Sequence, residues 1–446
     1  MIYKPETIAI LGAGLVGSLL SILLAHRGYK VAIYERQADI RTENTGGGKS
    51  INLALSNRGW LPLTLAGLID RVEDMIIPMK GRMMHDVSGE LTFQHYGKEG
   101  QAINSISRSG LNAVMMDKAE EEGVEIHFRH QCIDIDLYKN TMRLNHEKGV
   151  KSISADMIIG ADGAFSAVRT AIQKTDRFNY SQHYIPHGYK ELRIPPDVSG
   201  EYLLDKNALH IWPRHSFMLI ALPNKDVSFT VTLFLPFQGE VSFEKIRSDN
   251  DLSNLFNKYF PDTMALLGNS LYDDWITNPT SSLVTVKCYP WVCNKTMLIG
   301  DAAHAIVPFY GQGMNCGFED CRIFNEILDK CDDNWNIALE KYQTQRKPDA
   351  DAIADLALQN FVEMRDLVTD EAFLVRKQIE TRLYELFPDK WIPQYSMVTF
   401  NEQMRYSEAL ANGKKQNAIM NKIMERKEIF RNWESLDFED IVNQLS

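Results

Sequence analysis

Cysteine is scarce in this sequence, and the few cysteines form no metal-binding or disulfide pattern. The 446 residues include six cysteines, none of them in a CxxC pair, and no histidine cluster has the spacing of a zinc site. We therefore expect no bound metal and no disulfide framework. Reduced, unpaired thiols are typical of a cytoplasmic protein, which is the location we predict.

Long apolar runs and an excess of positive charge are also missing. No apolar run approaches the roughly 20 residues that a helix needs to cross a bilayer, and the N-terminus lacks the basic start and the cleavage site of a secretory signal. Lys and Arg number 48 against 59 Asp and Glu, a formal net charge of −11. Because an acidic surface repels phosphate backbones, we expect no nucleic-acid partner. We also expect no membrane anchor, and either a monomer or a homodimer.

The start of the chain has the pattern of a βαβ unit. Apolar runs at Thr7–Leu11 and Lys30–Tyr34 flank a stretch with helical spacing, 15–27. Such a unit places a helix between two parallel strands of one sheet. The sequence length is enough for two or three domains, and this unit begins the first of them.

The middle of the chain has the sequence pattern of β-strands, and the end has that of helices. Short strand-like runs separated by polar residues predict an antiparallel sheet from 189–194, 208–212, 217–222 and 228–235. Beyond Pro348, amphipathic helical patterns occupy about 349–367, 369–386 and 402–430. The predicted fold class is α/β, with a Rossmann-type dinucleotide-binding domain interleaved with an antiparallel-sheet substrate domain, plus a C-terminal helical region. The predicted boundaries are 1–80, 98–180 and 286–345 for the first domain, 81–97 and 181–285 for the second, and 346–446 for the helical region.

A glycine-rich motif, Gly12-Ala-Gly14-Leu-Val-Gly17, joins the first predicted strand to the first predicted helix. In this context Gly12 permits the tight turn, Gly14 lets a pyrophosphate approach the backbone, and Gly17 allows close packing of the helix on the strand. Glu35 ends the second strand, where a carboxylate can accept a hydrogen bond from a ribose 2′-hydroxyl. The motif therefore predicts a dinucleotide that carries no 2′-phosphate, namely FAD or NAD.

Two further predicted strands end in acidic residues, at Asp162-Gly163 and at Gly300-Asp301. Carboxylates at the carboxyl ends of strands lie where α/β sheets bind their ligands. The helix expected to begin near Met314 presents free N–H groups, which can stabilise negative charge on a ligand. For His304 we predict a packing role and not that of a catalytic base.

These motifs, in this order and at these separations, resemble those of the single-component, FAD-dependent aromatic hydroxylases, the class A flavoprotein monooxygenases. The resemblance covers nearly the whole chain. It implies tightly bound FAD, with the adenosine diphosphate part near the first motif and Glu35, Asp301 at the ribityl chain, and Asp162 near both FAD and NADPH. The cofactor-binding residues that it implies are Gly12, Gly14, Gly17, Glu35, Arg36, Arg108, Asp162, Asp301, Gly313, Met314 and Asn315.

The resemblance narrows to the members of that family that act on L-kynurenine. The substrate-binding residues that it implies are Arg82, Tyr96, Phe309, Tyr310, Asn360, Glu363 and Tyr395. Arg82 can form a bidentate pair with the carboxylate of kynurenine. Tyr310 departs from the Phe or His that relatives often carry. No side chain is assigned as a catalytic base, because the flavin carries the chemistry.

The implied activity is hydroxylation of L-kynurenine to 3-hydroxy-L-kynurenine, dependent on NADPH and O2, through a C4a-hydroperoxyflavin. That step belongs to tryptophan catabolism and the quinolinate route to NAD. Since the sequence has one glycine-rich fingerprint, NADPH is expected to bind transiently at the surface. Two alternatives stay open: a hydroxylase of another aromatic acid, and a flavin-binding protein without oxygenase activity.

Overall fold

The computed structural model describes residues 2–42, 52–97, 100–364, 371–426 and 428–445. The strands in this part of the chain are β1 (Thr7–Leu11), β2 (Lys30–Tyr34), β3 (Asn52–Leu55), β4 (Ile77–Met79), β5 (Gly81–His85), β6 (Leu91–His95), β7 (Ile103–Ser107), β8 (Glu125–His127), β9 (Gln131–Asp136), β10 (Thr141–His146), β11 (Gly149–Ser154), β12 (Met157–Gly160), β13 (Asn179–Ile194), β14 (Ala208–Arg214), β15 (Phe217–Pro223), β16 (Phe229–Pro236), β17 (Thr280–Tyr289), β18 (Val292–Cys293) and β19 (Thr296–Leu298).

The helices in the same part of the chain are α1 (Leu15–His26), α2 (Asn57–Leu65), α3 (Ile69–Glu73), α4 (Arg108–Glu121), α5 (Ala167–Ile172), α6 (Asp249–Tyr259), α7 (Pro261–Leu267), α8 (Ser270–Thr277), α9 (Asp301–His304), α10 (Gly313–Lys330), α11 (Trp335–Val362), α12 (Glu371–Leu386), α13 (Gln394–Thr399), α14 (Tyr406–Met424), α15 (Ile429–Asn432) and α16 (Phe438–Asn443). None of these helices combines the length and the apolar character that a bilayer span requires.

A six-stranded sheet contains the predicted βαβ unit. Its order is β18-β19-β12-β1-β2-β8, and every pair is parallel except the edge pair β18-β19. The central strands are apolar throughout because both faces are covered; Ile8, Ile10 and Ile159 are almost fully buried. β1 and β2 have the predicted bounds, and α1 ends at His26, one residue before the predicted end.

The other large sheet has seven strands, in the order β17-β13-β16-β15-β14-β5-β6. All pairs are antiparallel except β14-β5. Leu252, Phe256 and Leu271 of the helices α6 and α8 pack against it in one apolar cluster. The four predicted strands are present, but β13 begins at Asn179, ten residues before its predicted start. Its polar first half is stabilised by pairing with β17, with a register shift between Tyr184 and Gly188.

The C-terminal helical pattern is confirmed, but its predicted start after Pro348 is wrong. Helix α11 begins at Trp335 and continues through Pro348 to Val362. An internal proline removes one helical hydrogen bond and costs about 3 kcal/mol. Arg346 and Asp349, on either side of it, are buried and paired with neighbouring charges, so tertiary contacts hold the helix together there. Part of the predicted helical patterns, 365–370, lies outside the described residues.

Candidate active site

One cavity of about 790 Å³ extends from the glycine-rich edge of the six-stranded sheet to the inner face of the seven-stranded sheet. At the first end its walls include Gly12, Gly14 and Glu35, and at the second end they include Arg82 and Tyr395. A single space therefore connects the predicted dinucleotide site with the predicted substrate site.

The three motif glycines differ in what surrounds them. Gly12 has φ +104°, and a Cβ on it would lie 2.6 Å from Ala161 O. A Cβ on Gly17 would overlap Gly12 O, so this glycine lets α1 approach the turn; Gly17 does not line the cavity. At Gly14, by contrast, an added Cβ would meet no protein atom within 4 Å and would enter the cavity. This open position at the start of α1 fits a pyrophosphate group.

Glu35 is held rigidly beside this cradle. Its two carboxylate oxygens accept hydrogen bonds of 2.8 Å from the backbone N–H groups of Ala13 and Gln37. Glu35 and the exposed Arg36 both line the cavity. A carboxylate fixed in this way can receive a ribose hydroxyl at the adenosine end of FAD.

Asp162, Arg108 and Asp301 line the middle of the cavity. Burial raises the pKa of Asp162, against the hydrogen bonds that its carboxylate accepts from Ser166 and Ala167. Burial also raises the pKa of Asp301, and the positive charge of Arg108 opposes that shift. Asp301 is exposed, and it lines the cavity.

The start of α10 contributes to the wall with Gly313 and Met314, whereas Asn315 lies behind it. Asn315 Nδ2 donates to Ala54 O (2.8 Å) and Gly311 O (2.9 Å), and its Oδ1 accepts from Ser56 N (3.0 Å). Asn315 therefore ties β3 to the turn before α10. Its predicted contact with the flavin ring stays a prediction.

Aromatic rings surround the one guanidinium predicted to bind substrate. The ring of Tyr395 stacks on both Tyr310 and Tyr96, with centroid distances of 5.4 Å and 5.6 Å. The guanidinium of Arg82 lies 4.5 Å from the centroid of the Tyr395 ring and 5.5 Å from that of Tyr96. Burial alone would lower the pKa of Arg82, but Tyr395, Tyr96 and Glu363 outweigh it and keep the side chain charged.

Two polar atoms at this end are buried and have no hydrogen-bond partner among the described residues: Arg82 Nε and the hydroxyl of Tyr96. Burying a donor without a partner costs about 1–3 kcal/mol. Native proteins rarely leave such groups unpaired. Arg82 lines the cavity, where its guanidinium can bind an anionic ligand, whereas Tyr96 does not line it, so contact of Tyr96 with a ligand stays a prediction.

Asn360 and Glu363 do not line the cavity. Asn360 Nδ2 donates to Phe309 O at 2.6 Å, and Glu363 Oε1 lies 3.3 Å from Lys377 Nζ. Phe309 itself lines the cavity and stacks on Phe361 at 4.2 Å. Asn360 thus supports the wall at Phe309 from behind, and direct contact of Asn360 or Glu363 with a ligand stays a prediction.

His304 is buried outside the cavity wall, with Nε2 2.6 Å from Asp320 Oδ2. Burial alone would lower the pKa of His304, but the negative charge of Asp320 outweighs it and raises that pKa. Asp320 Oδ2 also accepts from Gly300 N (3.2 Å) and so ties both ends of α9, which carries Asp301. The predicted packing role for His304 agrees with this geometry.

Sequence reasoning missed Glu191 on β13. Glu191 is 9% exposed, its Oε2 has no hydrogen-bond partner among the described residues, and it lies opposite Thr232 of β16, which lines the cavity. Residues opposite one another in an antiparallel pair point to the same face, so Glu191 is on the cavity side of the sheet. Burial raises its pKa to about 7, and Arg108 opposes the shift. Because Lys190 and Arg193 lie close to Glu191 in the same strand, its sequence position has no signal that sets it apart.

The comparisons with known proteins agree with this site. Residues 6–357 match the family described as an FAD binding domain. A kynurenine 3-monooxygenase of Christiangramia forsetii is 48% identical over 445 residues, 99% of both chains. One of Sus scrofa is 44% identical over 422 residues, 94% of this chain and 88% of that protein. The solved structure of 2-methyl-3-hydroxypyridine-5-carboxylic acid oxygenase matches with a TM-score of 0.67 at 21% identity, over 83% of this chain and 96% of that one, which shows the fold alone.

The Rossmann-type sheet, the open cradle at Gly14 and the match to the FAD binding domain define an FAD-binding flavoprotein with the monooxygenase fold. This confirms the predicted fold class and the predicted FAD. With relatives of 44–48% identity along nearly its whole length, the chain belongs to the kynurenine 3-monooxygenase family.

Proposed function

We propose that this protein hydroxylates L-kynurenine at C3 of its ring, consuming NADPH, a proton and O2 and releasing NADP⁺ and water. Family membership supports the reaction. The observation within the molecule that supports it is the charged guanidinium of Arg82, which lines the cavity beside the rings of Tyr96 and Tyr395. Kynurenine offers a carboxylate that this guanidinium can bind.

The residues around this guanidinium bind and orient the substrate. Arg82 stays charged and donates to the carboxylate, and a charge-assisted bond of this kind is about twice as strong as a neutral one. Tyr96 and Tyr395 add hydroxyl donors. The aromatic ring of kynurenine then extends along the apolar wall that includes Phe309 and Phe234.

The same wall keeps water out. Phe309 and Tyr310 are 7% and 6% exposed, and Phe309 packs on Phe361 and Phe234. When bound, FAD supplies electron transfer and oxygen activation. Exclusion of water by the protein limits the wasteful release of hydrogen peroxide.

The cofactor residues have separate roles in this proposal. Gly12 and Gly14 admit the pyrophosphate, Gly17 lets α1 pack closely on the turn, and Glu35 and Arg36 meet the adenosine end. Arg108, Asp162 and Asp301 line the middle, beside the ribityl chain. The remaining predicted residues, at the flavin ring, are Gly313, Met314 and Asn315.

The proposal also includes the division of the chain and its location. The seven-stranded sheet, which contains β5, β6 and β13 to β17, supports a substrate domain of 81–97 and 181–285 interleaved with the FAD domain. The six cysteines are unpaired, which is typical of a reducing compartment such as the cytoplasm. Whether the protein is a monomer or a homodimer stays a prediction.

The test is NADPH oxidation by the purified holoprotein in aerated buffer, with and without L-kynurenine, followed by the mass of the product. We expect kynurenine to accelerate NADPH consumption and to gain one oxygen atom. Turnover of another aromatic acid in place of kynurenine would identify the alternative hydroxylase. Absence of oxygen transfer to any aromatic acid tested would identify a flavin-binding protein without oxygenase activity.

A further inference from the structure

Arg58 lies on the first turn of α2 and is buried. It is distant in sequence from Tyr395, but its side chain is hydrogen-bonded to the segment that follows Tyr395. Its side chain is 1% exposed. Nε donates to Val398 O at 2.6 Å, and Nη2 donates to Asn401 O at 2.9 Å, to Met397 O at 3.3 Å and to Met404 O. One guanidinium thus meets four backbone carbonyls within 397–404.

These carbonyls need such a partner. The last carbonyl groups of any helix lack intrahelical donors, and α13 ends at Thr399, within this segment. A cation at a helix C-terminus also meets the negative end of the helix dipole. A buried Arg that reaches all four groups therefore fixes both the end of α13 and the turn that follows it.

The charge of Arg58 is balanced where it lies. Nη1 is 2.7 Å from Glu319 Oε1, and the guanidinium lies 4.1 Å from the centroid of the Tyr406 ring. Burial alone would lower the pKa of Arg58, but Tyr406 and Glu319 outweigh it. The contact therefore joins three parts of the chain through a charged group that stays charged: α2, α10 and the segment 397–404.

The segment held in this way positions the substrate end of the cavity. α13 carries Tyr395, whose ring stacks on Tyr310 and Tyr96 and lies beneath the guanidinium of Arg82. A shift of α13 would therefore move Tyr395 and open the aromatic box around Arg82.

We propose that Arg58 is a positioning residue, which fastens α13 to the FAD-binding part of the molecule and so fixes the ring of Tyr395 against the substrate-binding guanidinium of Arg82. Lys cannot replace it. An ammonium offers three donors from one point, whereas the planar guanidinium offers five donors spread over a fork. Val398 O is reached by Nε, whereas Asn401 O and Met404 O are reached by Nη2.

The test compares Arg58→Lys with a matched control, Arg214→Lys. Arg214 is also buried, donates to backbone carbonyls of His85, Asp86, Pro213 and Tyr259, and lies over the ring of Phe260. It does not line the cavity, and the carbonyls to which it donates lie outside 397–404. Both variants therefore lose a buried guanidinium. Only Arg58→Lys loses hydrogen bonds to the carbonyls of 397–404.

In Arg58→Lys we expect the KM for L-kynurenine to rise about tenfold with a smaller change in kcat. The fraction of NADPH that ends as hydrogen peroxide should rise about twofold or more. Amide hydrogen exchange within 394–404 should be about tenfold faster. Arg214→Lys should lower the melting temperature but leave these three quantities within twofold of the parent. Unchanged KM, coupling and exchange in Arg58→Lys, or equal changes in both variants, would overturn the proposal.

If Arg58→Lys does not fold, Glu319→Gln removes the charge that balances Arg58, and faster exchange within 394–404 is again expected. Unchanged exchange would then overturn the proposal. The kinetic readouts rest on the proposed function, whereas hydrogen exchange needs no turnover. A parent protein that does not hydroxylate kynurenine would therefore contradict the proposed function and leave the exchange test of Arg58 intact.

Discussion

The two ends of the cavity are built in different ways. At the dinucleotide end, the backbone of one continuous segment around Gly12, Gly14 and Gly17 forms the cradle, and Glu35 is fixed by two backbone N–H groups. At the substrate end, side chains from separate segments meet, with Arg82 among the rings of Tyr96, Tyr310 and Tyr395. The dinucleotide end therefore tolerates little change in backbone conformation. The substrate end depends on individual side chains, each of which can be substituted without changing the backbone. Substitutions at the two ends should therefore fail in different ways.

The largest effect is expected at the substrate end, for Arg82→Met. Methionine keeps much of the apolar volume but removes the buried charge, and losing a charge-assisted pair with the substrate carboxylate should lower kcat/KM for L-kynurenine about 100-fold. Steady-state kinetics of the holoprotein would measure it. Arg82→Lys, which keeps the charge and loses the fork, should lie between the parent and Arg82→Met. Unchanged kinetics in Arg82→Met would contradict the assigned carboxylate site.

A smaller effect is expected at the dinucleotide end, for Gly14→Ala. Gly14 has φ −75°, which alanine adopts freely, and the added Cβ meets no protein atom within 4 Å. The protein should therefore fold, while the methyl group in the cradle weakens FAD binding about tenfold. Titration of the FAD-free protein with FAD would measure this.

The matched comparison for that variant is Gly12→Ala. Because Gly12 has φ +104° and a Cβ there would press on Ala161 O, this variant should lose folded protein as well as FAD. Equal stability of the two variants would mean that the structural distinction between Gly12 and Gly14 is wrong.

A third variant, Tyr96→Phe, should separate binding from stability. Its hydroxyl is buried without a partner among the described residues, so removing it should raise the free energy of unfolding by about 1 kcal/mol. The same change removes a donor to the substrate and should raise the KM for L-kynurenine about fivefold. Thermal unfolding and steady-state kinetics measure the two effects. A loss of stability in Tyr96→Phe would show that the hydroxyl has a partner within the protein.

The contrast between the two ends also explains how far the sequence could predict this molecule. The roles of Gly12, Gly14 and Gly17 depend on spacings of two and three residues, so a strand followed by a helix is enough to place them. Strands β1 and β2 were predicted with their observed bounds for the same reason: both are short, apolar and buried on both faces.

Contacts between distant segments could not be predicted in this way. The family resemblance named Asn360 as a substrate contact, which stays a prediction, and no local pattern predicted that Asn360 donates to Phe309 O across 51 positions of sequence. Helix α11 passes through Pro348 because buried charges from other helices surround it. Arg58 and Glu191 belong to no local motif, and only the fold brings them to the segments on which they act.

A further effect, which depends on pH, is expected for Glu191. Burial raises the pKa of Glu191 to about 7 from an ordinary value of 4.5. Below pH 4.5 the carboxyl is protonated in both the folded and the unfolded chain, and its contribution to folding is complete. As the pH rises through 7 this contribution is lost, because the unfolded chain has already released the proton and the folded chain now releases it at a cost. Gln cannot ionise, so the stability of Glu191→Gln relative to the parent should increase between pH 5 and pH 8.

Urea unfolding of the two proteins, with FAD held at one saturating concentration, measures this difference. An equal difference at both pH values would mean that Glu191 is solvated or has a hydrogen-bond partner. The substrate end of the cavity would then hold its carboxylate as firmly as the dinucleotide end holds Glu35.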